Sequence, residues 1–272
     1  MSLVHAADGQ AGRIQRWSLY LFARYLEMPL LALSYQFLRG RFRQVGTSRP
    51  ARVLLGVAAG LPMGYAGDTA RPMPAPRVLE MIEGLEGAMA VGPCRCRLAH
   101  GGCDHPLETD IVIRTGATVF QQAFADDYRP IDKAEAQEIV ASCSRLGMWP
   151  MVFVHCPVGE HHAHWPDALR PGHEYVICNC CTCGCMPYIL HREVGQRFYP
   201  LLRGEWLAGT DPARCSGCGA CAAACPFEAR AIVEGRGRLV GECLGCGLCA
   251  TACPEGAIKM QARGVRGLWM EA

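Results

Sequence analysis

Cys215-Ser-Gly-Cys218-Gly-Ala-Cys221-Ala-Ala-Ala-Cys225-Pro226 returns in nearly the same form as Cys243-Leu-Gly-Cys246-Gly-Leu-Cys249-Ala-Thr-Ala-Cys253-Pro254. Each copy has the spacing C-x2-C-x2-C-x3-C-P. Three thiolates at i, i+3 and i+6 on a tight loop can converge on three corners of one iron–sulfur cubane, and the fourth corner must come from elsewhere. Small residues between the ligands (Ser216, Gly217, Gly219, Ala220, Gly245, Gly247) let backbone N–H groups approach the sulfurs, where hydrogen bonds tune the reduction potential. Pro226 and Pro254 then turn the chain away. A zinc ribbon would use paired C-x2-C, not tandem triplets closed by C-x3-C-P.

The two runs resemble bacterial-type ferredoxins, which hold two [4Fe-4S] clusters. The resemblance implies that the fourth cysteine of each run ligates the other cluster. Cys215, Cys218, Cys221 and Cys253 would then hold one, and Cys243, Cys246, Cys249 and Cys225 the other. It also implies a (βαβ)2 domain with a pseudo-twofold axis over residues 206–272. Between the runs, Ala231-Ile-Val-Glu234 and Arg238-Leu-Val240 flank Gly235-Arg-Gly237 and read as a short β-hairpin with a glycine-rich turn.

The chain has 272 residues, 50% of them hydrophobic, enough for a real core and two domains. Its 18 cysteines would suggest a disulfide scaffold in a small secreted chain. Met1 to Gly12 is polar, however, without an apolar stretch and cleavage site, so the expected place is the cytoplasm and the expected use of the cysteines is metal binding. The net charge of +2 counts every cysteine as neutral and gives no argument for nucleic acid as a partner.

Residues 17–38 form an apolar stretch interrupted by Arg24, Glu27 and Pro29, which a membrane span tolerates poorly. Arg24, Glu27, Leu31 and Ser34 at helical spacing make a narrow polar edge, and Arg13, Arg16, Arg39, Arg41 and Arg43 flank the stretch. Residues 1–45 therefore read either as an amphipathic helix on the inner membrane face or on a partner, or as a buried helix of the next domain. Residues 46–77 read as a Gly/Pro-rich linker, 77–90 and 132–146 as helices, the latter capped by Asp132, and 111–113 and 151–154 as strands. The expected class is α+β: the ferredoxin-like domain, plus a small N-terminal α/β cysteine-rich module within 46–205, preceded by the apolar helix.

That module carries Cys94-Arg-Cys96-Arg97, then Cys103-Asp-His-Pro-Leu-Glu-Thr-Asp110, then Ile177-Cys178-Asn-Cys180-Cys181-Thr-Cys183-Gly-Cys185. Here the chain resembles a little-described group of dicluster ferredoxin-like proteins with an extra N-terminal cysteine module, whose pattern is P-C-x-C-R, C-D-x-P-x-E-T-C and I-C-N-C-C-x-C-C-C. The resemblance covers roughly residues 77 to 260. Asp110 stands where the pattern has cysteine, and Gly184 interrupts the last string.

Cys-x-Cys on an extended segment points both thiolates to one face, so Cys94 with Cys96, and Cys178 with Cys180, can each grip one centre. Arg95 and Arg97 can stabilise thiolates. One or two further Fe–S clusters are expected from Cys94, Cys96, Cys103, Cys178, Cys180, Cys181, Cys183 and Cys185, with Asp110 a candidate non-cysteine ligand and structural zinc the alternative. Cys143 and Cys156 read as buried hydrophobes. His155, His161, His162, His164 and His173 read as a solvated loop.

Neither a Walker loop, nor a dinucleotide-binding glycine fingerprint, nor a C-x-x-C-H haem motif is present. The expected function is a relay of single electrons between a redox donor and acceptor, which could include a membrane-bound oxidoreductase complex. The rival is a reductase-type enzyme with substrate beside an open iron site; a third reading is a scaffold with structural clusters.

Overall fold

A computed structural model describes residues 21–46, 48–51, 53–54, 70–113, 125–155, 174–195, 201 and 203–263. A π-helical turn, Phe22–Leu26, runs into α1 (Glu27–Leu38), followed by the short α2 (Arg43–Gly46). The cysteine-rich module comprises β1 (Arg71–Pro72), α3 (Ala75–Gly84), β2 (Met89–Pro93), α4 (Arg95–His100), β3 (Glu108–Ile113), β4 (Arg129–Ile131), α5 (Lys133–Arg145), β5 (Trp149–His155), β6 (Glu174–Cys180) and α6 (Met186–Glu193). The C-terminal part comprises β7 (Trp206–Thr210), α7 (Ala220–Ala223), β8 (Arg230–Val233), β9 (Arg236–Leu239), α8 (Leu248–Thr251) and β10 (Ile258–Ala262).

Six strands of the module form one sheet in the order β1-β5-β6-β3-β2-β4, and every pair is antiparallel. This corrects the expected α/β arrangement. Helix and strand alternate along the chain, but the consecutive strands β2 and β3, and β5 and β6, are direct neighbours, so no crossover makes them parallel. Both faces are covered, which explains why Ile111, Val112 and Ile113 are all buried in succession. One face packs Ile111, Ile113, Val152 and Ile177 against Val78 and Ile82 of α3 and Val140 of α5. The other packs Trp149 and Met151 against Leu31 and Tyr35 of α1 and Ile189 and Leu190 of α6.

The helix read at 77–90 starts at Ala75 and ends at Gly84, and residues 89–93 are a strand. Leu85 takes an extended conformation at the helix end and Gly87 has φ 128°, a backbone that favours glycine, so the chain is freed to enter the sheet. Strand β1 occupies part of the stretch read as linker. Asp132 caps α5 as expected, its carboxylate accepting the Glu135 N–H at 2.8 Å.

Helix α1 corrects the reading of residues 17–38 in one respect. Its inward face is Glu27, Leu31, Tyr35 and Leu38, so the edge that looked polar is partly the buried one. Glu27 is tolerated there because Arg95 pairs with it at 2.8 Å, both side chains nearly buried. Leu26, Leu30 and Leu33 stay exposed. Among the described residues no helix is long and apolar enough to cross a membrane.

The C-terminal part runs β7-α7-β8 and then β9-α8-β10, with β7 paired to β10 and β8 to β9. The hairpin turn is Glu234-Gly235 alone, both at positive φ (51° and 69°), while Arg236 and Gly237 already belong to β9. This unit shares its packing with the module. Trp206 enters the module core, and Phe227 packs on Trp149 and Tyr188 with ring centroids 5.5 and 6.0 Å apart.

Candidate metal centres

The two C-terminal runs fold into two similar cavities. Cys215, Cys218, Cys221 and Cys253 line one, with Ile232 and Ile258. Cys225, Cys243, Cys246 and Cys249 line the other, with Ala208, Phe227 and Met260. Each cavity thus takes three sulfurs from one run and one from the other. The local geometry repeats: Gly219 and Gly247, ahead of α7 and α8, share φ 83° and ψ −9°. The Ala229 N–H donates to Cys225 Sγ and the Ala257 N–H to Cys253 Sγ, both at 3.3 Å.

These walls fit a cubane. The Gly237 N–H donates to Cys215 Sγ at 3.4 Å, and a Cβ at Gly237 would stand 2.9 Å from Cys221 Sγ, so the position has room only for hydrogen. N–H groups of Gly237 and Gly217 hold Cys215 below the usual thiol range, whereas burial pushes Cys249 up to about 11 and Cys246 higher still. A thiol that resists ionising in an apolar wall needs a cation to accept its charge, which ligation to iron supplies. Cys218 is exposed, while Cys246 and Cys249 are buried, so the first cavity lies nearer solvent.

Upstream, the structure divides the cysteines into two groups. Cys94, Cys96, Cys178, Cys180 and Cys185 form the first, in which Cys94 hydrogen-bonds Cys96 and Cys180 hydrogen-bonds Cys185. Cys94 precedes α4 and Cys96 lies within it, so this pair meets on a helical turn and not on the extended segment expected. Cys178 and Cys180 do lie at the end of β6.

Asp110 joins the first group: Cys178 donates to it at 2.9 Å and the Tyr128 hydroxyl at 2.5 Å. Burial first, then Asp110 and the neighbouring thiolates, push Cys178 up, and burial with Asp110 does the same to Tyr128. Tyr35 braces the group from α1, its hydroxyl donating to the carbonyls of Cys96 (3.0 Å) and Gly184.

Cys103, Cys181 and Cys183 form the second group, together with His105. Cys103 and Cys183 stand as a disulfide pair with Cα atoms 5.9 Å apart. Buried Arg97 lies between the groups, donating to the Asn179 carbonyl at 2.8 Å, to the Thr109 hydroxyl and to Cys181 Sγ at 3.8 Å. No carboxylate pairs with it among the described residues, and its Nε has no hydrogen-bond partner there.

Cys143 is buried beside Met148 and Cys181, and burial raises its thiol to about 11, in keeping with a small hydrophobe. Cys156, His161, His162, His164, His173 and the side chain of His155 lie outside the described residues. Sequence reading passed over His105, Tyr35 and Tyr128. The Cys103-Asp-His105 spacing was a signal for the first; the tyrosines carried none.

No curated protein and no solved structure matches the chain. Residues 214–258 match the family model of the 4Fe-4S dicluster domain, so the chain carries a C-terminal ferredoxin-like dicluster domain, which supports an iron–sulfur electron-transfer role.

Proposed function

We propose that the protein relays single electrons through three [4Fe-4S] clusters: one in the five-cysteine group of the module and two in the C-terminal cavities. The observation that carries this reading is the placement of Cys246 in the same apolar cluster as Cys180 and Cys185. The cavity of Cys225, Cys243, Cys246 and Cys249 thereby adjoins the upstream group, and the cavity of Cys215 and exposed Cys218 lies toward solvent. Electrons would enter or leave near Cys218, where a redox partner can approach. When bound, the clusters supply the one-electron chemistry; the residues exclude water, donate hydrogen bonds to sulfur and set potentials through local charge.

Anaerobically purified protein should contain about twelve irons per chain, three cubanes' worth. Stepwise reduction should give interacting EPR signals, reoxidised by an added one-electron acceptor. Iron that cannot be cycled would remove the relay and leave a structural role.

Arg230 should set the potentials of the C-terminal clusters, since its charge favours the thiolates of Cys249 in one cavity and Cys215 in the other. It is buried, lines the cavity of Cys225 and Cys249, and donates to the Ala208 and Gly237 carbonyls at 3.3 Å and to the Thr210 hydroxyl. A fixed cation favours the more negative, reduced cluster, so Arg230→Leu should lower the potentials by on the order of 60 mV, about tenfold in a one-electron equilibrium. Spectroelectrochemistry reads this shift, and Arg230→Lys should fall between the two.

A second reading has one observation in its favour. A cavity lined by Arg24, Arg95, Asp127 and Tyr128, with Met28, Pro93 and Leu98, reaches the first group through Tyr128, which donates to Asp110. A substrate-induced change in the EPR signal of one cluster would favour a reductase over a carrier.

A further inference from the structure

We propose that Cys103, His105, Cys181 and Cys183 hold a single zinc ion in a site separate from the five-cysteine group. Their four ligand atoms all lie within 4.8 Å of one another. His105 Nδ1 is 3.1 Å from Cys183 Sγ and 3.4 Å from Cys103 Sγ, and Cys181 Sγ is 3.6 Å from Cys103 Sγ and 3.3 Å from Cys183 Sγ. Bonds of about 2.3 Å to sulfur and about 2.0 Å to nitrogen at tetrahedral angles put ligand atoms roughly 3.5–3.8 Å apart, so once the Cys103–Cys183 bond is reduced, outward movement of the ligands completes the tetrahedron. A cubane spreads its thiolates over separate irons, whereas these four atoms crowd within 4.8 Å of one another. Three thiolates and an imidazole are a donor set that suits structural zinc.

The surroundings are built to hold these ligands. The Gly184 N–H donates to Cys181 Sγ at 3.4 Å, and Arg97 donates to the same sulfur. Such outer hydrogen bonds orient a ligand and temper its charge. Gly184 itself lets the turn approach: a Cβ there would lie 2.9 Å from Arg97 Cγ and 3.3 Å from Cys103 Cβ. The disulfide pairing of Cys103 and Cys183 uses two of the four groups and leaves the Cys181 thiol and the His105 ring nitrogen each within 3.6 Å of both its sulfurs. A low-molecular-weight thiol reductant breaks the Cys103–Cys183 S–S bond by thiol–disulfide exchange, itself ending as its own disulfide, and the two thiolates released complete the set. The ion would clamp the loop after α4 to the turn after β6.

The site stands independently of the electron-relay reading and is tested by metal content. Full-length protein purified anaerobically with a reductant and washed with EDTA should carry about one zinc per chain beside its iron. His105→Ala and Cys103→Ser should each lose that zinc and keep the wild-type iron content, while His105→Cys should keep both. Cobalt added to zinc-depleted protein should give the visible absorption of a tetrahedral thiolate site in wild type and not in His105→Ala. Absence of zinc from reduced wild type, a Cys103–Cys183 disulfide that persists under reductant, or a loss of iron with His105→Ala would each overturn the assignment; the last would place iron at these residues.

Discussion

Changing Cys94, Cys96 and Cys180 together to serine should remove about four irons per chain, one cubane, and abolish one reduced EPR signal while leaving two interacting clusters. The triple change is needed because the first upstream group offers five thiols and a carboxylate for four corners, so that two losses still leave four donors. A single or double substitution leaves Cys178, Cys185 or Asp110 able to fill the vacant corner, Asp110 already being within 2.9 Å of Cys178. Cys94 and Cys96 come from the start of α4 and Cys180 from the end of β6, so losing all three takes ligands from each side of the group. A hydroxyl is a far poorer ligand for iron than a thiolate. Iron content and spectra equal to wild type would sink the third cluster and reduce the relay to its C-terminal pair.

Trp149→Ala should destabilise the protein by about 3–5 kcal/mol, the usual cost of deleting a large buried aromatic ring. Trp149 is 0% exposed and packs edge-on against Tyr188 at 5.4 Å and Phe227 at 5.5 Å. Phe227 directly follows Pro226 at the end of the first cysteine run, so the cavity left behind loosens the seam between module and cluster domain. At about 2–4 °C per kcal/mol for a protein of this size, the melting temperature should fall by on the order of 10 °C, with faster iron release on heating. Trp149→Phe should cost much less: it keeps most of the packing and removes an indole N–H that has no partner among the described residues. Melting of the alanine variant within a degree or two of wild type would show that the two halves are energetically independent.

The cavities of the C-terminal domain were legible because cluster ligation at three corners is a local geometry. Cysteines three apart, glycines between them and a proline after them define the loop without help from distant residues, and the crossed fourth cysteine followed from the family resemblance. Asp132 and the strands around Ile111 and Met151 were legible for the same reason, a cap or an alternation contained in a few residues. The helix end at Gly84 was missed because apolar spacing continues into β2, and only the sheet decides that Met89 to Pro93 is extended.

The upstream cysteines show where such reading ends. Cys180 and Cys181 are neighbours in the chain yet belong to different groups, because consecutive residues leaving a strand face opposite ways. Glu27 looked solvent-facing until Arg95, far along the chain, was placed beside it. Tyr35 reaches the Gly184 carbonyl across a separation of 149 residues.

By itself, then, the sequence determined an iron–sulfur domain and the pairs of runs that build it, since bond lengths and loop closure act over a few residues. The tertiary structure alone decided the antiparallel sheet, the burial of the α1 face and the division of the upstream ligands. Each of these depends on which distant surfaces exclude water from one another, and no local spacing encodes that.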